Sequence, residues 1–218
     1  MTSKRLVFFD LDGTISRRDT LLPFVLGFLL RQPWRLPRLL GVVPAALGFV
    51  RGRADHGELK GALLRATLGG VSRSEIEAWR VLFLPRLQSA GLFGDALRAV
   101  DQHRRAGDHL VLMSASVDLY VPELAQRLGF DEAICSGVSW RGDRLQGQLN
   151  TPNCRGEEKS RCFHDVARRF PDLKTVAYGN SDPDLSHLRL ADEAVLVNAN
   201  SALADRAKAF GIRCVRWQ

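Results

Sequence analysis

Beyond residue 94, short apolar runs alternate along the chain with segments whose apolar residues recur at helical spacing. Four runs have the length of buried strands, at 109–113, 175–178, 194–198 and 212–217. The segments between them predict helices, at 122–129, 157–170 and 201–211. Because strands that alternate with helices form parallel βαβ units, the pattern predicts an α/β fold with a Rossmann-like, doubly wound parallel sheet covered on both faces.

The segment from residue 17 to residue 90 breaks this alternation, because it contains no strand pattern. Residues 56–70 show helical spacing, and Ser72 with Glu75 has the spacing of a capping box, which is typical of a helix start. We therefore expect an all-helical insertion at 17–90, directly after the first strand. Residues 1–16 and 91–218 are expected to form the α/β core.

Positive charge is concentrated in this insertion. The chain carries a net charge of +7, and residues 17–53 contain seven arginines against a single acid, Asp19. The apolar runs in this segment are shorter than the roughly 20 residues that cross a bilayer. Two interpretations remain open: ordinary helices of a small subdomain, or an amphipathic surface that contacts an anionic membrane. No nucleic-acid-binding motif accompanies the arginines, so nucleic acid is not an expected partner.

The composition, with 45% hydrophobic and 25% charged residues, excludes a disordered or fibrous chain. The four cysteines form no C-x-x-C pair, which argues against a disulfide scaffold and against a clustered zinc site. The N-terminal segment lacks the long apolar region of a signal peptide. We expect a cytoplasmic protein, with peripheral contact of the insertion at the inner membrane face as an open alternative.

Two aspartates follow the first apolar strand, in the sequence LVFFDLDGT (6–14). Strand side chains alternate between faces, so Asp10 and Asp12 can project toward one point. Two carboxylates at that distance repel unless a cation lies between them or one is protonated. The pair predicts either a Mg²⁺ site or an acid/base pair. The alternative is that Asp12 and Gly13 only form a hairpin turn.

Three later segments favour the chemical interpretation. Ser114 and Ala115 follow the strand at 109–113, where a hydroxyl and free backbone N–H groups suit phosphate oxygens. Lys159 stands in the first turn of a predicted helix, an end that favours anions, so a bound phosphate or plain solvent exposure must explain it. Residues 179–184, GNSDPD, supply the oxygen ligands that hard cations prefer.

These segments form an ordered set of motifs, namely DLDGT (10–14), SAS (114–116), GEEK (156–159) and GNSDPD (179–184). The set resembles the four motifs of the haloacid dehalogenase superfamily of phosphohydrolases. The insertion between the first two motifs resembles the cap of the phosphoserine-phosphatase-like subclass IB. The SAS motif and the basic, apolar insertion are similar to the phosphatidylglycerophosphatase C-like branch. The resemblance covers essentially the whole chain and implies a phosphatase whose helical cap, residues 17–90, covers an α/β core.

The resemblance also implies roles for the motif residues. Asp10 would be the nucleophile that forms an aspartyl-phosphate, and Asp12 would protonate the leaving alcohol and then activate water. Thr14 would orient Asp12. The expected phosphate-binding residues are Thr14, Ser114, Ala115 and Lys159.

The same resemblance implies a Mg²⁺ cofactor. Its expected ligands are Asp10, the backbone carbonyl of Asp12, Asn180 and Asp184. The family usually has aspartate where this chain has Asn180. An amide oxygen ligates Mg²⁺ without adding charge, so we expect weaker metal binding than in a two-acid relative.

The expected reaction is Mg²⁺-dependent hydrolysis of a phosphomonoester. The sequence leaves open whether the substrate is small and phosphoserine-like or lipid-linked and phosphatidylglycerophosphate-like. Arg17 and His56 are the residues of the insertion that we expect at the substrate. The alternative function is a catalytically inactive binding or regulatory protein that retains the fold, for which Asn180 is the only hint. The sequence makes no prediction about oligomeric state.

Overall fold

The computed structural model describes residues 4–218; residues 1–3, with which the predicted core segment 1–16 begins, lie outside them. Six parallel strands form one sheet in the order β3-β2-β1-β6-β7-β8. Their bounds are β1 Arg5–Phe9, β2 His109–Val117, β3 Glu132–Ser136, β6 Lys174–Gly179, β7 Glu193–Val197 and β8 Arg213–Val215. The predicted doubly wound α/β fold is confirmed.

Nine α-helices accompany the sheet within the described residues. Four lie in the insertion at 17–90: α1 Leu21–Arg31, α2 Val43–Val50, α3 His56–Leu68 and α4 Arg73–Ala90. The others are α5 Gly94–Arg105, α6 Val121–Leu128, α7 Glu157–Ala167, α8 Leu185–Leu188 and α9 Ser201–Lys208. In residues 4–218, no helix combines the length and apolar character needed to cross a bilayer.

The direction of winding reverses at β1, which lies at the centre of the sheet. The chain runs from β1 outward to β2 and β3 and then returns to β6 on the other side of β1. Parallel sheets of this kind bind ligands at the carboxyl ends of the strands that flank such a reversal. The ends of β1, β2 and β6 are therefore where the fold itself creates a crevice.

Side-chain alternation along β1 divides the hydrophobic core into two layers. Val7 and Phe9 point into a cluster that includes α5 and α6, whereas Leu6 and Phe8 point into a second cluster that includes α7 and α9. All four side chains are completely buried. Burial on both faces explains why β1 reads as a continuous apolar run rather than an alternating one.

The insertion contains four α-helices, one 3-10 helix and short loops, and no strand. A 3-10 helix, Pro33–Val42, separates α1 from α2 and contains most of the segment RQPWRLPR (31–38). Phe24 of α1 packs on Tyr120 with a ring-centroid distance of 4.7 Å, and the Trp79 indole donates a hydrogen bond to the Phe24 carbonyl at 2.9 Å. The start of the insertion therefore shares one apolar cluster with the sheet.

A two-stranded hairpin, β4 Val138–Arg141 and β5 Arg144–Leu149, reaches from the core to α3. Gly147 has a φ of +76°, and a Cβ there would lie 2.4 Å from the backbone nitrogen of Arg65 on α3. Only glycine permits this close approach. The hairpin thus fixes α3 near the carboxyl ends of the strands.

Candidate active site

A cleft of about 190 Å³ opens at the carboxyl ends of β1, β2 and β6, beneath α3. The residues that line the cleft come from the loop after β1, from the ends of the strands together with α7, and from α3. The sequence-predicted residues that line it are Asp10, Asp12, His56, Ala115, Lys159 and Asp184. Motifs separated by more than 140 residues in the chain thus converge at one edge of the sheet.

Lys159 joins two carboxylates at the bottom of the cleft. Its Nζ donates to Asp10 Oδ1 at 2.5 Å and to Asp184 Oδ1 at 2.7 Å. All three side chains are buried, with Lys159 only 3% exposed. The lysine therefore stands in the first turn of α7 because it neutralises buried carboxylates, and solvent exposure is excluded as its explanation.

Burial sets the protonation of these groups. Desolvation raises the pKa of Asp10 to about 7, reinforced by the charges of Asp184 and Asp12 and opposed by Lys159. The pKa of Asp184 is shifted below its usual range, because Lys159 and hydrogen-bond donors outweigh the cost of its burial. The pKa of Lys159 is raised despite its burial, because two carboxylates surround it. A strongly perturbed carboxyl group in a cleft marks a candidate functional site.

Thr14 orients Asp10 rather than Asp12, so that expectation for Thr14 is wrong. Its hydroxyl donates to Asp10 Oδ2 at 2.9 Å, because the tight turn after β1 folds back over the first aspartate. Gly13 makes this turn with a φ of +87°, and a Cβ there would lie 2.1 Å from the Asn180 amide nitrogen. The turn is not part of a hairpin, since the sheet neighbours of β1 are the parallel strands β2 and β6.

Asp12 is held in a separate hydrogen-bond network at the base of the insertion. Asp12 Oδ1 accepts from the Thr20 backbone N–H and hydroxyl, both at 2.7 Å, and Oδ2 accepts from the Ser116 hydroxyl at 2.7 Å. The Thr20 hydroxyl donates to Asp12 and therefore accepts from Tyr120, whose oxygen lies 2.8 Å away. Burial raises the pKa of Asp12, although these donors oppose the shift. The carboxyl group is thus fixed in position and able to carry a proton.

Ser114 lies inside β2, three residues before the end of the strand, and its side chain is completely buried. β2 continues to Val117 instead of ending at residue 113, because a register shift lets it pair further with β3. The Ser114 hydroxyl accepts from the Ser116 backbone N–H at 3.0 Å. Its own proton has no acceptor among residues 4–218, whereas the neighbouring Ala115 lines the cleft directly.

The oxygens near Asp10 and Asp184 fit a divalent cation. The Asn180 side-chain oxygen lies 3.4 Å from Thr14 Oγ1, which in turn contacts Asp10. Within the described range, no three His, Cys, Asp or Glu side chains are arranged to hold a metal, because the third oxygen donor here is an amide. Two carboxylates and an amide still form a donor set that suits Mg²⁺.

Two residues of the insertion were expected at the substrate, and the structure separates them. Arg17 lies outside the cleft: its side chain donates to the Leu92 carbonyl at 3.1 Å and covers the Phe93 ring. The expectation for Arg17 is wrong, because its segment, between β1 and α1, packs against residues 91–93 directly before α5. His56 lines the cleft from the first turn of α3, and burial with neighbouring positive charge lowers its pKa.

The cleft residues that escaped the sequence analysis include Lys60, Asn153 and Arg155. Lys60 Nζ donates to the Ala115 carbonyl and to Asn153 Oδ1 at 2.6 Å, and burial lowers its pKa to about 8. The signal that could have found Lys60 was its position four residues after His56, one helical turn along the same face. Asn153 and Arg155 belong to no motif, and only the fold brings them to the cleft.

Comparison with known proteins identifies the family. Residues 7–189, most of the chain, match the haloacid dehalogenase-like hydrolases. The chain belongs to this family. The chain is also 33% identical to the protein CicA of Caulobacter vibrioides over 195 residues, which covers 86% of this chain and 83% of CicA. A probable phosphatase of Mycobacterium tuberculosis is 24% identical to this chain. The match covers 96% of this chain and 74% of the mycobacterial protein.

Haloacid dehalogenase-like structures show the same fold. A substrate-bound phosphoserine phosphatase superimposes with a TM-score of 0.69 at 16% identity, covering 99% of this chain and 94% of the other. The hydrolase has a six-stranded parallel sheet with flanking helices, and the sequence predicts every strand of it except β3. The sequence-based prediction of a hydrolytic enzyme of this family is confirmed.

Proposed function

We propose that this haloacid dehalogenase-like hydrolase cleaves phosphomonoesters through an aspartyl-phosphate on Asp10, with residues 17–90 serving as a cap over the cleft. The observation that supports this most strongly is the arrangement around Asp10. Its Oδ1 bonds Lys159 and its Oδ2 bonds Thr14, so the buried carboxylate is held at the cleft floor. A carboxylate fixed in this way can attack a phosphorus atom with little loss of conformational entropy.

In the first step, an Asp10 oxygen attacks phosphorus and the bond to the leaving alcohol breaks. The alcohol oxygen takes a proton from Asp12, whose raised pKa suits a proton donor. Lys159 offsets the negative charge on the transferring group, and we expect the Ser114 hydroxyl and the Ala115 backbone N–H to bind phosphoryl oxygens. Positioning and charge stabilisation provide most of the catalysis in phosphoryl transfer.

In the second step, water attacks phosphorus of the aspartyl-phosphate and restores the Asp10 carboxylate. Asp12, now deprotonated, accepts the proton of this water. Thr20 and Ser116 hold the Asp12 carboxyl group in one orientation for both proton transfers. The same residue thus acts as acid and then as base without moving.

Asp10, the Asp12 carbonyl, Asn180 and Asp184 would hold Mg²⁺, which would neutralise negative charge on the phosphoryl oxygens when bound. We expect hydrolysis of an aryl phosphate to require added Mg²⁺. Replacing Asn180 with Asp should lower the Mg²⁺ concentration for half-maximal activity by about tenfold, because a second charged ligand strengthens cation binding. A metal titration of the wild type and the variant tests this. An unchanged half-maximal concentration would contradict the role of Asn180, and absent hydrolysis would favour the inactive-protein alternative.

The outer face of the insertion supports the proposal that it rests on an anionic membrane. Nine large apolar side chains of residues 22–50 are at least 43% exposed, including Leu30 at 79% and Leu40 at 75%. Elsewhere in the described chain four large apolar side chains are exposed, and only Val81 and Phe210 reach 43%. Residues 22–50 also contain Arg31, Arg35 and Arg38 and no acid. Exposed apolar groups among arginines suit the headgroup region of a bilayer. A membrane position would favour the lipid-linked substrates over the small ones.

We expect the protein to sediment with vesicles that contain anionic phospholipid at low salt. Leu30→Asp with Leu40→Asp should weaken binding at least about fivefold, because both side chains would lose contact with the bilayer. Leu190→Asp, at an exposed apolar position after α8, is the matched control and should bind like the wild type. Equal sedimentation with neutral and anionic vesicles, or none with either, would refute this membrane contact.

A further inference from the structure

Three basic side chains surround the cleft mouth beside the proposed phosphoryl site. Lys60 and His56 approach from α3, and Arg155 approaches from the loop before α7. They lie close enough to influence one another, since the positive charge of Arg155 contributes to lowering the pKa of both Lys60 and His56. The mechanism proposed for the phosphoryl group uses none of the three.

Lys60 differs from Lys159 in having no carboxylate partner. Both acceptors of its ammonium group are neutral, the Ala115 carbonyl and the Asn153 amide oxygen. Among residues 4–218, neither Lys60 nor Arg155 forms a salt bridge, whereas Lys159 forms two. A largely buried cation without a counter-ion is unfavourable, and a ligand anion would compensate it.

The nearby carboxylates do not fill this role. Asp12 and Asp19 are near enough to favour the charged form of Lys60, but neither is paired with it. Asp12 accepts three hydrogen bonds from Thr20 and Ser116, and Asp19 accepts from the Leu22 backbone N–H at 2.8 Å. An ammonium group has three donors, and Lys60 uses two of them within the protein.

We propose that Lys60 and Arg155 bind a second anionic group of the substrate, a carboxylate or a phosphodiester, located within a few bonds of the scissile phosphate. The short separation follows from the contact of Lys60 with Ala115, the residue proposed to hold phosphoryl oxygens. This inference rests on the proposed function and narrows its substrate class. Phosphomonoesters with a neutral or cationic remainder are disfavoured, because they leave Lys60 without a counter-ion.

Binding to an Asp10→Asn background, measured by calorimetry with Mg²⁺ present, tests the inference without turnover. The probes are 3-phosphoglycerate and a short-chain phosphatidylglycerophosphate, each compared with glycerol 3-phosphate, which lacks the second anion. At least one of the first two should bind about tenfold more tightly than glycerol 3-phosphate. A preference for 3-phosphoglycerate identifies a carboxylate, and a preference for the lipid identifies a phosphodiester.

Lys60→Met should abolish most of this preference while changing glycerol 3-phosphate binding less than about threefold. Arg155 is exposed, so its replacement should not impair folding. Arg155→Gln should also weaken the preference for probes with a second anion over glycerol 3-phosphate. Arg65→Gln, an exposed arginine on the same helix outside the cleft, is the control and should retain it. Equal binding of all three probes, or an equal loss for all of them in Lys60→Met, would overturn the inference. Absent hydrolysis by the wild type with the preference intact would instead refute only the proposed function.

Discussion

Asp10→Asn should reduce hydrolysis of an aryl phosphate by about 10⁴-fold or more, because an amide cannot act as the attacking group. The variant should remain folded. Its amide oxygen can still accept the hydrogen bond from Lys159. The change also removes a buried carboxyl group whose pKa is raised to about 7. Steady-state rates at saturating Mg²⁺, with circular dichroism to confirm the fold, measure the effect.

The same substitution should increase stability in metal-free buffer. The pKa of Asp10 is higher in the folded state than in the unfolded state. The free energy of unfolding therefore decreases as the pH rises toward about 7 and this group ionises. Asp10→Asn removes this pH-dependent destabilisation. The variant should therefore exceed the wild type in free energy of unfolding by more at pH 8 than at pH 5. Asp172→Asn, in the exposed turn before β6, is the matched control and should change neither rate nor stability. Residual activity within tenfold of wild type would rule out Asp10 as the nucleophile.

Lys159→Met should lower both stability and activity. Without the ammonium group, the Asp10 and Asp184 carboxylates remain buried with no shared counter-ion. Breaking a buried ion pair in this way costs about 3–5 kcal/mol, so the thermal midpoint at pH 8 in EDTA should fall by roughly 6–12 °C. We expect kcat/KM to fall about 10³-fold, because charge on the transferring group is no longer offset.

The loss of stability in Lys159→Met should depend on pH and on metal. Below about pH 6 a proton on Asp10 relieves its repulsion with Asp184, so the difference in thermal midpoint between the variant and the wild type should become smaller. Millimolar Mg²⁺ should also reduce it, since a divalent cation substitutes for the missing charge. Lys208→Met removes an exposed lysine on α9 and should stay within about 0.5 kcal/mol of wild type. A destabilisation that neither acid nor Mg²⁺ relieves would contradict the proposed charge balance.

The sequence predicts the residues of the cleft floor because each belongs to a motif at a strand end. Asp10 follows β1, and Asp184 follows β6, so parallel topology alone brings them to one edge. Lys159 is also foreseeable, since a cation in a first helical turn requires a compensating anion. The helical insertion is recognisable because strand patterning stops at residue 17 and resumes only near residue 109.

The cleft mouth could not be predicted in the same way. The contact of Lys60 with Ala115 depends on how α3 lies over the sheet, which the hairpin at Gly147 determines. The role of Thr14 depends on the direction of the turn at Gly13, and the position of Arg17 depends on how the segment between β1 and α1 packs against residues 91–93. The sequence pattern does not predict β3, because EAICS is short and most of its residues are only partly buried. These features follow from tertiary packing rather than from local pattern.

Chemical trapping of the intermediate tests the central claim most directly. Asp12→Asn should slow the second step more than the first for an aryl phosphate, because this leaving group needs little protonation. Protein quenched in acid during turnover should then carry a phosphoryl group on Asp10, and borohydride reduction should convert residue 10 to homoserine. Phosphorylation at any other residue, or turnover with no acid-stable phosphoprotein at any time point, would contradict the account.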